Sequence, residues 1–311
     1  WHAVILLTVH GFAGVLWGPA AQLMIYDLIG REQLQSGVRL LATSRTLGIL
    51  LGPAVGGGLM IVLGPAWGIF VNILIYVPLV LWLWKTPQTS AFRPDAARHS
   101  TPVMRGFADL IRTIRYLISK RTIISMTLLA GGASLFVGNA HHAQMPEFTL
   151  DLFPSDDGIL YAILLTASGI GALTAGIVLE SRSILEPKPN TAFILVFIWC
   201  IAIIGFAASA NAYLSVILLF VAGFLELTYN SMAQTLVQLH APTDMRGRVI
   251  GLFSMSALGL KSFSGITVGI GGAIAGIHWS LGISATLLLA FTIMLSIYAA
   301  RIPKQAIPSS Q

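Results

Sequence analysis

Glu226, Asn230 and Gln234 recur at every fourth position of one long apolar stretch, and Lys261 stands midway along the next. On a helix this spacing puts the acid and the two amides on one face, a polar stripe that also holds Gly223. A charged side chain at the centre of a bilayer costs about 2.5 to 3.5 kcal/mol on insertion scales, so an acid and a base kept there point to function. The turn joining the two stretches falls near Thr243, equidistant from Glu226 and Lys261. At about 1.5 Å rise per residue both reach the same depth, roughly 25 Å from that turn, where they can pair. Two chemistries fit this pattern: Glu226 as a proton or cation acceptor, or Glu226 and Lys261 as a static buried pair joining two helices.

Asn139, His141, His142 and Gln144 gather at the outer end of an earlier stretch, followed by Pro146 and Glu147. Neighbouring residues on a helix point about 100 degrees apart, so one of the two histidines is expected to face the interior. Too few acids or cysteines stand at ligand spacing for a metal site to be expected. A titratable group near a cavity mouth and an interfacial polar cap remain as readings. His10, in the first stretch, reads equally as a packing histidine or a substrate contact. Trp1, Trp82, Trp84 and Trp279 are expected as interfacial anchors. No aqueous segment carries a nucleophile elbow, a phosphate loop or room for a catalytic domain, so neither an enzyme nor a cofactor is expected.

Membrane-spanning helices must carry these side chains. The chain is 56% hydrophobic and 10% charged, against about 25% charged in soluble domains. Stretches long enough to span run at about 3 to 26, 38 to 62, 66 to 84, 122 to 143, 158 to 179, 191 to 209, 213 to 238, 249 to 274 and 279 to 300. They are too long and too uniformly apolar for barrel strands, so the fold class is all-α integral membrane. The net charge of +6 is not a nucleic-acid patch, since Lys85, Arg93, Arg98, Arg105, Arg112, Arg115, Lys120 and Arg121 share one connecting segment. Other bases cluster at 27 to 45, 180 to 190, 239 to 248 and after 300, while the loops near 63 to 66, 144 to 157, 210 to 212 and 275 to 278 hold no Lys or Arg. By the positive-inside rule the basic loops are cytoplasmic. Cys200 is the single cysteine and sits inside a span, so no internal disulfide is expected.

A shift of 212 residues brings Gly11, Phe12, Ala21, Gln22, Ser44, Gly57, Gly64 and Trp67 onto Gly223, Phe224, Ala233, Gln234, Ser256, Gly269, Gly276 and Trp279. The match reads as a parallel internal repeat. It places Gly14, Gly18 and Gln22, with His10, on the face equivalent to the Glu226 stripe. The expected organisation is three helices of an N-terminal bundle at 1–84, a cytoplasmic linker at 85–121, a C-terminal six-helix bundle at 122–300 and a cytoplasmic tail at 301–311. A longer natural chain with three further helices upstream is expected from the same repeat. Within the linker, Phe107, Leu110, Ile111, Ile114, Leu117 and Ile118 predict an amphipathic helix over 104 to 120, laid on the inner membrane face.

The run GILLGPAVGGGLM sets Gly48, Gly52, Pro53, Gly56 and Gly57 along one helix, where small residues admit a close neighbour and Pro53 bends the backbone. It resembles the exporter motif in the fifth span of the major facilitator superfamily, although Arg39 stands where a further glycine belongs. The loop HAPTDMRGRVIGLF, with Pro242, Asp244, Arg246, Gly247, Arg248 and Val249, is similar to the inner loop before the eleventh span in the efflux branch that includes the enterobactin exporter and macrolide efflux proteins. Thr243 or Asp244 is expected to cap the helix that follows. The segment GIGALTAGIVLESRS resembles a degraded second copy of a further superfamily loop, keeping Gly171, Gly176, Glu180 and Arg182.

The resemblance covers spans four to twelve of a twelve-helix fold and implies that the Glu226 stripe and the His10 face border a central cavity. It further implies export of a small amphiphilic molecule (drug, siderophore or similar) by proton-coupled alternating access, in a monomer in the bacterial inner membrane. The proton gradient would take the place of a cofactor. The small molecule and membrane lipid are the partners implied. An uptake permease for a sugar or small metabolite, or a non-transporting truncated membrane protein, are the alternatives.

Overall fold

The computed structural model describes residues 32–63, 65–85, 107–138, 140–152, 159–182, 186–242 and 245–300, with scattered positions from 18 to 30. In chain order the helices are α1 Leu34–Leu63, α2 Pro65–Lys85, α3 Phe107–Ser119, α4 Arg121–Phe136, α5 Ala140–Ala143, α6 Met145–Leu152, α7 Ile159–Arg182, α8 Pro189–Ala208, α9 Ala212–His240, α10 Arg246–Ser254, α11 Lys261–Ala275 and α12 Ile277–Ala300. A π-helical turn, Met255–Gly259, separates α10 from α11. No strand occurs among the described residues. Five helical runs among them are long and apolar enough to cross a bilayer.

Local chemistry accounts for the helix ends. Pro65 and Pro189 open α2 and α8, where the missing N–H has no intrahelical partner to lose. The Asn211 side chain caps α9 by accepting from the Tyr213 and Leu214 amides at 2.9 and 3.3 Å. In α2, Ile73, Ile75, Tyr76, Val80 and Trp82 are each about half exposed or more. In water such a face is a liability, whereas in lipid it is the ordinary outside of the protein.

Two apolar stretches are less regular than their composition predicts. The stretch 122 to 143 breaks after Phe136, where Gly138 takes a φ of 45° and the chain turns before α5. The stretch 249 to 274 is interrupted by the π turn, which shifts the register of everything after it. The amphipathic helix is α3. Its Thr113 and Leu117 are buried against the protein while Ile111, Ile114 and Ile118 are exposed in a stripe at helical spacing. The linker at 86–106 and the tail at 301–311 lie outside the described residues.

The core runs through α4, α6, α8, α9 and α12, with Ile123, Met126, Leu129, Phe148, Trp199 and Phe206 among its fully enclosed side chains. Helices in lipid gain nothing from hiding apolar surface, so they associate through close packing of small residues. The α7–α9 crossing shows this. A Cβ on Gly171 would strike the Phe220 carbonyl, and one on Gly223 would strike the Ser168 carbonyl. Two backbones thus meet where each helix offers a glycine.

Candidate transport site

Glu226 is bracketed by two basic groups from different helices. Its Oε1 lies 3.7 Å from the Lys261 Nζ on α11, and its Oε2 lies 3.9 Å from the His141 Nε2 on α5. Both separations exceed hydrogen-bond length, so the carboxylate sits between two partners without being locked to either. The Glu226 and Lys261 side chains are 18% and 25% exposed, while His141 is 1% exposed. Along α9, Glu226, Asn230 and Gln234 are each half-buried, whereas the three residues before and the three between each pair are almost all enclosed. The polar stripe is therefore the open side of α9.

Both histidines join this cluster, contrary to the expectation that only one would face inward. The break at Gly138 removes α5 from the α4 helix, and the His141 and His142 rings stack with centroids 3.9 Å apart. His142 reaches Ser168 on α7 at 3.3 Å. Behind His141, the edge of Trp199 approaches at 6.4 Å, and Trp199 in turn packs on Tyr229 at 5.2 Å. Gln144 donates to the Val268 carbonyl of α11 at 3.1 Å.

The π turn fixes where Lys261 falls, a feature the sequence pattern did not reveal. Ser134 of α4 donates to the Ala257 carbonyl, and Ser256 donates back to the Thr127 carbonyl at 3.2 Å. These hydroxyls tie α4 to the π turn at Ser256 and Ala257, just before Lys261. Polar side chains facing a neighbour inside an apolar stretch were the available signal. Their partners were not.

Other expected site residues are placed apart from the cluster. Gln22 is 8% exposed and accepts from the Ser254 Oγ of α10 at 3.4 Å, linking the two sides of the linker. Gly48, Gly52, Pro53, Gly56 and Gly57 all fall within α1, and open space surrounds Gly48. The surroundings of the other motif residues, together with His10 and Asp244, lie outside the described residues. Met245, rather than Thr243 or Asp244, holds the N-cap position of α10 and offers no side-chain cap, because the helix starts one residue later than expected. Arg246 donates to the Ala241 carbonyl at 3.4 Å, and Gly247 and Arg248 follow it in the first turn of α10. Trp82, Trp84 and Trp279 are strongly exposed near helix ends. No cluster of three metal-ligating side chains occurs among the described residues.

A cavity of about 670 Å³ opens elsewhere, between the C-terminal end of α8 and the N-terminal half of α12. A carbonyl oxygen can only accept, so the His278 Nδ1 carries the hydrogen and donates to the Ala207 carbonyl at 2.6 Å. Its Nε2 lies 3.4 Å from the Asp151 carboxylate. Leu287 and Ile283 are among its other lining residues, and both are exposed on α12. None of the stripe residues stands in the wall of this cavity.

Comparison with known proteins adds to this geometry. The sequence profile of the Major Facilitator Superfamily matches residues 1–265. The enterobactin exporter EntS of Citrobacter koseri is 28% identical over 238 residues, which is 73% of this chain and 52% of that protein. The exporter of the same name from Salmonella typhimurium is 26% identical over the same shares, and that of Shigella flexneri is 26% identical over 254 residues, 78% and 55% of the two chains. The chain spans about half the length of these relatives.

Proposed function

Because this chain belongs to the Major Facilitator Superfamily, we propose that it works as a secondary active exporter, moving a small amphiphilic molecule across the bacterial inner membrane against protons by alternating access. The single observation that carries this reading is Glu226, partly exposed on the open stripe of α9 and held loosely between Lys261 and His141. A proton on Glu226 removes its charge and releases Lys261, so the α9–α11 contact responds directly to proton binding. Asn230 and Gln234 continue the same face and offer neutral hydrogen-bonding groups to cargo. The relatives named for enterobactin export support an outward direction and a cargo of siderophore or drug size. The basic loops support an inner-membrane topology with the linker in the cytoplasm. The electrical part of the driving force is worth about 2.3 kcal/mol per charge per 100 mV.

Everted membrane vesicles holding the full-length protein, given an imposed pH gradient and a fluorescent amphiphilic dye, test the reading. The wild-type protein accumulates dye when the gradient is applied. Glu226→Gln inserts to the same level and accumulates none. Dye movement that is the same with and without Glu226 removes the carboxylate from coupling and overturns the proposal.

A further inference from the structure

Arg39 is a charged residue buried in a joint between helices from opposite sides of the linker. It sits in the second turn of α1, is 4% exposed, and donates through Nη1 to the Leu179 carbonyl of α7 at 2.6 Å. Leu179 lies in the last turn of α7, which ends at Arg182. Carbonyls in a final turn have no intrahelical N–H and carry the negative end of the helix dipole. The guanidinium therefore satisfies a carbonyl that α7 alone leaves open. One turn further along α1, Thr43 presses on Gly176, where a Cβ would collide with the hydroxyl. Between them Ala42 packs beside Ala175, Leu179 and Leu227.

The joint sits at the inner end of the molecule, since Arg31, Arg39 and Arg45 on one side and Arg182 and Lys188 on the other belong to the basic segments. The Gln22–Ser254 contact at 3.4 Å links the same two parts of the chain. A buried guanidinium is costly unless its donors are met. In the closed joint a carbonyl meets one of them. In an opened joint water serves both groups.

We propose that Arg39 is the fastener of the inner mouth: by capping the C-terminal turn of α7 from across the joint it holds α1 against α7, and its release accompanies opening to the cytoplasm. This rests on the alternating-access reading above, but its test needs no cargo. Cys200 is fully buried, so a cysteine introduced at Thr43 reports the joint with little background. In the full-length protein in membranes, Thr43→Cys is labelled slowly by a hydrophilic maleimide applied from the cytoplasmic side. Adding Arg39→Ala raises the labelling rate about tenfold, the size of one hydrogen bond to a charged group. Arg39→Lys, which keeps the charge but not the planar fork, falls between.

Equal labelling with and without Arg39 overturns the fastener. If Arg39→Ala fails to insert, Arg39→Lys and Arg39→Gln carry the same comparison, and equal labelling in them has the same consequence. A raised rate in a protein that moves no dye upholds the joint and sinks the exporter reading. Normal dye movement with unchanged labelling does the reverse.

Discussion

Lys261 and Arg39 are both cations drawn into the apolar part of the molecule, yet they lean on different kinds of negative partner. Lys261 faces the carboxylate of Glu226 at 3.7 Å, whereas Arg39 is bonded to the Leu179 backbone carbonyl at 2.6 Å. A proton can erase the first partner and has no effect on the second. Distance sharpens the contrast. The carboxylate contact is longer than a hydrogen bond and partly open, while the carbonyl contact is a short, enclosed one. On the proposed reading the cluster responds to protons, and the joint to movement of one helix against another.

The largest effect that would break this contrast comes from Glu226→Gln. It is expected to reduce pH-driven dye accumulation by about tenfold or more, while leaving Thr43→Cys labelling within the range of its parent. A large change in labelling would mean that cluster and joint are one device. Next in size, a double-mutant cycle of Glu226→Gln and Lys261→Met, read by thermal unfolding in detergent, should give a coupling of about 1 kcal/mol. No coupling would make the two charges neighbours without an interaction. Ser134→Ala should cost roughly 1 kcal/mol by stranding the Ala257 carbonyl, with a partial loss of dye accumulation because the π turn no longer holds Lys261 in register. An unchanged melting temperature and unchanged accumulation would detach the turn from the site.

The smallest effect belongs to a pair outside both regions. Glu186 meets Lys188 at 2.7 Å in the loop between α7 and α8, and this hydrogen bond holds the Glu186 carboxyl below its usual range. A carboxyl so lowered adds stability at neutral pH that is lost only as pH falls through the acid range. Both side chains are exposed, so Glu186→Gln should leave the melting temperature at pH 7 unchanged within error. A measurable drop would give this loop a role in the inner face that its exposure does not suggest.

Several parts of the site were readable before any coordinates. Helical periodicity alone aligned Glu226, Asn230 and Gln234, because spacing of four places side chains on one face whatever surrounds the helix. The depth argument brought Glu226 and Lys261 level, since rise per residue is nearly constant. The histidines were legible as neighbours on one helical turn, but the break at Gly138 that sets this turn off from α4, and the stacking of the two rings, were not. Arg39 was visible only as the residue standing in place of a motif glycine, with no hint of what it touched.

Residue types and their order were enough to specify an all-α chain of apolar helices and which polar groups share a helix face. Those properties depend on transfer energy and local geometry, and both are summed over neighbours in the chain. Which helix Arg39 would cap, where α7 and α9 would cross and how far His141 would stand from Glu226 depended on contacts between residues far apart in sequence, 140 positions in the case of Arg39 and Leu179. In lipid no hydrophobic force ranks such pairings, so close fit between particular surfaces selects them. That fit exists only once the helices are assembled.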